Sequence, residues 1–224
     1  MVVGVDGCRD GWVAVVLQGA KMEVRYWESI GQVEEVPGVE AVAIDIPLGL
    51  SASGERRAET LARRRLPHRA STVFNVPPRI CLEAGEGDYA RANAQSRREA
   101  GKGLSRQSFA LLAKIREVDS FWTSAPCPVY EVHPELSFAR LNAGTPLPPK
   151  KSREGIAARR EVLAARGFDL AGVPRPVSWR MAVDDLLDAA VCAWTAQLIV
   201  QGDVECLPDP PEFDTTGREM CIRV

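Results

Sequence analysis

Apolar residues run almost unbroken from Val2 to Val5 and again from Trp12 to Leu17, with Arg9-Asp10-Gly11 between them. Two β-rich runs separated by such a turn signal predict a hairpin. Gln18-Gly19-Ala20-Lys21 turns the chain again. Met22, Val24 and Tyr26 then alternate, which predicts a third antiparallel strand over Met22 to Trp27. Ile30 to Val36 reads as a short helix stopped by Pro37-Gly38. Val39 to Ile46 is a near-continuous apolar strand, and Pro128 to Val132 is a later, alternating one with Glu131 and His133 on one face and Tyr130 and Val132 on the other.

Helical patterning fills the rest. Ser53 to Leu66 reads as a helix capped by Ser51 or Ser53, and Asp88 to Gly101 as a polar helix. Gln107 to Phe121 is amphipathic, with Phe109, Leu112, Ile115 and Val118 inward. Ser152 to Arg166 is a charged helix with Ser152 at its cap, and Met181 to Gln201 is the most strongly helical segment. Pro67 to Arg79, Gly144 to Lys151 and Gly167 to Trp179 read as loops or connectors, and Gly217 to Val224 as an extra edge strand. The order is three strands, short helix, strand, helical section, strand, late helix. It predicts an α/β fold, a mixed sheet with helices on its faces. One domain over residues 1–224 is expected, with helical insertions at about 53–121 and 150–180.

Composition narrows the function classes. A chain of 224 residues, 46% hydrophobic, can enclose a buried site. A net charge of −2 argues against a whole-surface nucleic-acid trap and leaves a local basic patch open. Cys8, Cys81, Cys127, Cys192, Cys206 and Cys221 contain no C-x-x-C, so a zinc knuckle or thioredoxin motif is not supported. No apolar run is long enough to span a membrane and no signal peptide is apparent, so a reducing cytoplasm is expected. The oligomeric state stays open.

The chemistry lies in carboxylates at the ends of buried elements. Asp6 closes the first strand and Asp45 sits near the end of the V-E-A-V-A-I-D-I strand. Asp185 and Asp188 are three residues apart and share a helix face, ahead of the small residues Ala189, Ala190 and Ala193. Unpaired buried charge is costly, so such groups pair or bind metal. Acids converging from two strands and a helix repel unless a cation neutralises them, and oxygen ligands select Mg2+ or Mn2+. Taken singly, each residue has a plainer reading. Asp45 can hydrogen-bond its loop, an Asp pair at a helix start can be a cap, His133 can be structural, and arginine-rich helices can be solvated faces. G-x-x-x-x-G-K-[ST], G-x-S-x-G, H-E-x-x-H and G-x-G-x-x-G are absent.

The blocks G-V-D-G-C-R-D-G-W-V, A-I-D-I-P-L-G-L, S-T-V-F-N-V-P-P-R, Y-E-V-H-P-E-L-S-F, K-K-S-R-E-G and D-D-L-L-D-A-A together resemble the family catalogued as domain of unknown function 429, described as predicted RNase H-like nucleases. The resemblance covers nearly the whole chain. It implies an RNase H-like mixed five-stranded sheet. More distantly, the acid pattern is similar to that of RuvC-type Holliday-junction resolvases: Asp6 on the first strand, and Asp185 and Asp188 on the last helix. The resolvase Glu is replaced here by the shorter Asp45.

The expected activity is metal-dependent phosphodiester hydrolysis. Asp6, Asp45, Glu131 and Asp185 would hold Mg2+ or Mn2+, with Asp188 also at the catalytic centre, His133 relaying protons and Glu135 supporting. Arg57, Arg64, Arg79 and Lys102 would hold phosphates of a nucleic-acid or nucleotide substrate. Two other readings stay open: a nucleotide- or phosphate-binding protein using Gly4, Gly7 and Gly11 of the hairpin, and a non-catalytic scaffold.

Overall fold

A computed structural model describes residues 1–83, 87–170 and 181–224. In chain order come β1 (Val2–Cys8), β2 (Gly11–Gln18), β3 (Lys21–Trp27), a 3-10 segment over Ile30–Glu35 and β4 (Ala41–Ile44). Then follow α1 (Arg57–Arg65), a 3-10 turn over Ala70–Thr72, α2 (Ile80–Glu83), α3 (Tyr89–Ala100), α4 (Arg106–Trp122) and β5 (Val129–Glu131). The remainder is α5 (Pro134–Leu141), α6 (Arg153–Ala164), α7 (Val183–Gln201), β6 (Cys206–Phe213) and β7 (Glu219–Arg223). The expected Gly167–Trp179 loop and the 150–180 insertion lie partly outside the described residues. The elements fall into two compact units. One comprises Met1–Ile46, Ser124–Glu205 and Arg223–Val224; the other comprises Pro47–Thr123 and Cys206–Ile222.

The first unit holds a five-stranded mixed sheet in the order β3-β2-β1-β4-β5. β1 pairs antiparallel with β2, and β2 with β3, while β4 runs parallel to β1 and β5 parallel to β4. The central strand β1 is the buried apolar run that the patterning marked. The sheet's α7 face carries Val2, Cys8, Val13, Val15, Leu17, Ala41, Ala43 and Val132, packed in one core with Ala189, Ala190 and Ala193 of α7. Gly4 is what lets the helix come so close. A Cβ built on it would stand 2.0 Å from the Ala193 amide nitrogen and 2.2 Å from the Ala189 carbonyl oxygen. α5 follows β5 at once, because Pro134 occupies the first helical turn, where its missing N–H is harmless. The alternating pattern extended the strand reading over the start of this block and left α5 unmarked.

The second unit gathers α1 to α4 with the ribbon β6-β7. Asp88 caps α3, accepting from the Arg91 amide at 2.9 Å, and Ser105 caps α4. The expected serine caps of α1 are corrected: the helix begins at Arg57, and Ser51 donates instead to the Ser53 carbonyl at 2.6 Å. Buried Arg56 precedes α1, paired with Glu59 and donating to the Leu48 and Gly49 carbonyls at 2.7 and 2.9 Å. The proline-rich stretch Pro208 to Glu212 lies within a strand of its own, β6, ahead of the edge strand expected at Gly217 to Val224. Proline lacks the amide donor a central strand needs, and a two-stranded ribbon tolerates it. Cys206 and Cys221 are disulfide-bonded across that ribbon. Among the described residues no helix is long and apolar enough to cross a membrane.

Candidate functional site

β1 and β4 set the first two carboxylates side by side. Their parallel register pairs Val5 with Ile44, and the Asp45 amide continues the ladder by donating to the Val5 carbonyl at 3.0 Å. One step along, Asp6 and Asp45 therefore share the pleat face of Gly4 and Ala43, the face α7 covers. α7 contributes Asp188, next to the Ala189 that sits over Gly4. Asp6 is 7% exposed and Asp188 2% exposed, while Asp45 keeps some of its surface open.

Burial is the main force on all three groups. It raises Asp6 well above the usual carboxylate range, and the negative charges of Asp45, Asp188 and Asp185 raise it further. Burial pushes Asp45 up to about 7, against the lowering pull of Lys150 and with a further push from Glu135. Asp188 likewise rises to about 7 by burial, opposed by the charge and hydrogen bond of Lys150 and reinforced by Asp45 and Glu135. The Cys192 thiol, one turn along α7, is buried beside the same carboxylates and is held protonated by burial and by their charge.

Lys150 supplies the cation. Its Nζ donates to Asp188 Oδ2 at 2.7 Å and lies 3.9 Å from Asp184 Oδ2. Burial works against its charge, but Asp188, Asp6 and Asp45 outweigh that cost and raise its pKa. The other oxygen of Asp188, Oδ1, is buried without a hydrogen-bond partner among the described residues. Glu135, whose charge acts on Asp188, is held in a buried ion pair in which Arg159 Nη2 donates to Glu135 Oε1 at 2.6 Å. Arg159 also lies over the Phe138 ring, 5.1 Å from its centroid.

The acids expected at the site are thus divided. Asp6, Asp45 and Asp188 converge, and Asp185 is close enough to act on Asp6 electrostatically. Asp185 is also a helix cap, its Oδ2 accepting from the Ala182 amide at 3.0 Å. Glu131 takes a different position. Register pairs it with Ile44, which in turn pairs with Val5, so the pleat turns it to the face opposite Asp6 and Asp45. Glu135, in the first turn of α5, is the family-block glutamate whose charge acts on Asp45 and Asp188. His133 is the N-cap residue of α5.

The four expected phosphate donors all belong to the second unit. Arg57 is exposed and pairs loosely with Glu212 at 3.9 Å, and Lys102 pairs with Glu55 at 2.5 Å. Arg64 is exposed. Arg79 is engaged by Asp119 at 3.1 Å and Asp214 at 2.6 Å. Two of the three glycines offered for a nucleotide are in tight packing: Gly4 under α7, and Gly11 where a Cβ would stand 2.2 Å from the Trp27 carbonyl oxygen; the Gly7 amide donates to Asp6 Oδ1 at 2.7 Å.

Sequence reasoning overlooked Lys150, hidden in a proline-rich connector, and Arg159, one arginine among several in a charged helix. The K-K-S-R-E-G block pointed to the first of them.

Residues 4–213 match the family described as Protein of unknown function (DUF429). The chain belongs to that family. No curated protein and no solved structure matches it. Asp6, Asp45, Glu135, Lys150 and Asp188 all lie within the DUF429 match. Among the described residues no three His, Cys, Asp or Glu side chains stand in a ready-made ligand arrangement for a metal ion. The donor chemistry itself suits a hard cation: three carboxylates held where ionisation is costly, one with an unpartnered oxygen.

Proposed function

We propose that this DUF429 chain is a metal-dependent phosphodiester hydrolase, a nuclease acting on nucleic acid. The observation that carries the reading is the convergence of Asp6, Asp45 and Asp188 where α7 packs on the sheet. The strand order β3-β2-β1-β4-β5, with β4 and β5 parallel to the first strand, agrees with the RNase H-like arrangement the sequence blocks suggest. Asp6, Asp45 and Asp188 would hold Mg2+ or Mn2+, with Asp185 at the rim. The bound cation would lower the pKa of a water and offset charge on the leaving oxygen.

The chain's own residues do the rest. β1 and β4 fix two carboxylates on rigid strands, and Gly4 lets α7 bring the third alongside. Burial keeps these acids from being satisfied by water, so they favour any cation that reaches them. Lys150 supplies a positive charge at the mouth of the cluster, and the Glu135–Arg159 pair holds the segment that carries it.

The test is cleavage of end-labelled single-stranded RNA, duplex DNA and branched DNA by purified protein in Mg2+, Mn2+ or EDTA. Cleavage is expected with either metal, none in EDTA, and none from Asp6→Asn. Cleavage by Asp6→Asn equal to that of the wild type would overturn the reading.

A further inference from the structure

Lys150 is a positioned residue. The Pro149 carbonyl accepts from the Ser152 amide at 2.9 Å and from Ser152 Oγ at 2.8 Å, which closes the turn around Lys150. The Gly155 amide donates to Ser152 Oγ at 2.9 Å, tying that turn to the start of α6. A Cβ on Gly155 would stand 1.9 Å from the Pro149 oxygen, so α6 lies directly against the turn. Arg159 Nη1 donates to the Pro148 carbonyl at 2.8 Å and to the Gly155 carbonyl at 3.1 Å, while Nη2 holds Glu135. A buried arginine thus ties the lysine-bearing turn to α5, itself packed on α7. The lysine that emerges from this turn reaches Asp188.

We propose that Lys150 is a built-in counter-ion of the carboxylate cluster, and that its bond to Asp188 competes with a divalent cation for that carboxylate. The inference rests on the metal-dependent reading of the site. A cation on a carboxylate oxygen sits about 2.0–2.1 Å from it, whereas the ammonium already lies within hydrogen-bond distance of the same group. Two positive charges so close in a water-poor site repel strongly. Seating the metal therefore releases the lysine toward solvent, where its side chain is already 39% exposed. The lysine sets how much free metal the site needs, and once released it can meet the phosphate of the substrate.

Calorimetric titration of Mn2+ into wild type and Lys150→Met tests this without reference to activity. Loss of one charge-assisted bond to Asp188 predicts about tenfold tighter Mn2+ binding by Lys150→Met. A second measurement uses the wild-type chain alone: acetylation of Lys150 by acetic anhydride, followed by mass spectrometry. Modification is expected to be several-fold faster in Mn2+ than in EDTA. If wild type binds Mn2+ but Lys150→Met binds it no more tightly, or if Mn2+ leaves Lys150 acetylation unchanged or slows it, the counter-ion proposal falls and the metal reading stands. If neither protein binds Mn2+, both fall.

Discussion

Gly4 of β1 lies against the backbone of Ala193 in α7 so closely that a methyl group on it would stand 2.0 Å from the Ala193 nitrogen. The contact brings α7 onto the strand that ends in Asp6, and so brings Asp188 to Asp6. Gly4→Ala must push the helix away or fail to fold. A loss of about 3 kcal/mol is expected, the upper end of typical overpacking that shifts backbone. Chemical denaturation measures it, and an unchanged midpoint would mean that the helix is not seated as described.

The carboxylate cluster makes stability depend on pH. Asp45 titrates near 7 in the folded chain but at its usual 3.8 when unfolded. Between those values the folded state binds more protons, so stability falls as pH rises from about 4 to 7. Asp45→Asn removes one repelling carboxylate. In EDTA it is expected to stabilise the protein at pH 8 by on the order of 1–2 kcal/mol and to change little at pH 4. Melting curves at the two pH values check this.

Asp214 in the second unit runs the opposite way. Burial works against its charge, but it accepts from the Leu50, Thr216 and Arg218 amides and from Thr216 Oγ1, at 2.6–3.0 Å. Arg79 adds a 2.6 Å ion pair, and together these hold the carboxyl below its usual range. Its stabilisation is full above about pH 4 and is lost as pH falls through and below that value. Asp214→Asn should cost about 2–3 kcal/mol at pH 7 and progressively less in acid, as read by urea unfolding.

Arg159 and Glu135 form a buried pair whose loss should be asymmetric. Arg159→Met strands a buried carboxylate and is expected to cost about 3–5 kcal/mol. The double variant Arg159→Met, Glu135→Leu should recover most of that. A double variant no more stable than the single one would show that the arginine acts through the Pro148 turn alone.

Much of this was legible along the chain. Unbroken apolar runs around a turn gave β1 and β2, alternation gave β3, and lone acids at strand ends gave Asp6 and Asp45. The D-x-x-D spacing followed by alanines gave Asp188. Short-range patterning misses what register and packing decide. Glu131 and Asp45 look equivalent as acids closing strands, yet the Ile44–Glu131 register turns Glu131 to the other face. Asp185 and Asp188 look alike on a helix face, yet the first turn uses Asp185 to cap Ala182. Lys150 lies in a segment without periodicity, so only the folded chain reveals its partner. β6 was masked by its prolines, which normally signal loops.

The proposed role of the carboxylates that converge under α7 is most directly tested by single-turnover cleavage rates for wild type, Asp188→Asn and Glu131→Gln in saturating Mn2+, each variant first verified as folded. A loss of at least about 100-fold is expected for Asp188→Asn, with Glu131→Gln within a few-fold of wild type. Full activity in Asp188→Asn together with loss in Glu131→Gln would place the chemistry on the opposite face of the sheet and contradict the account.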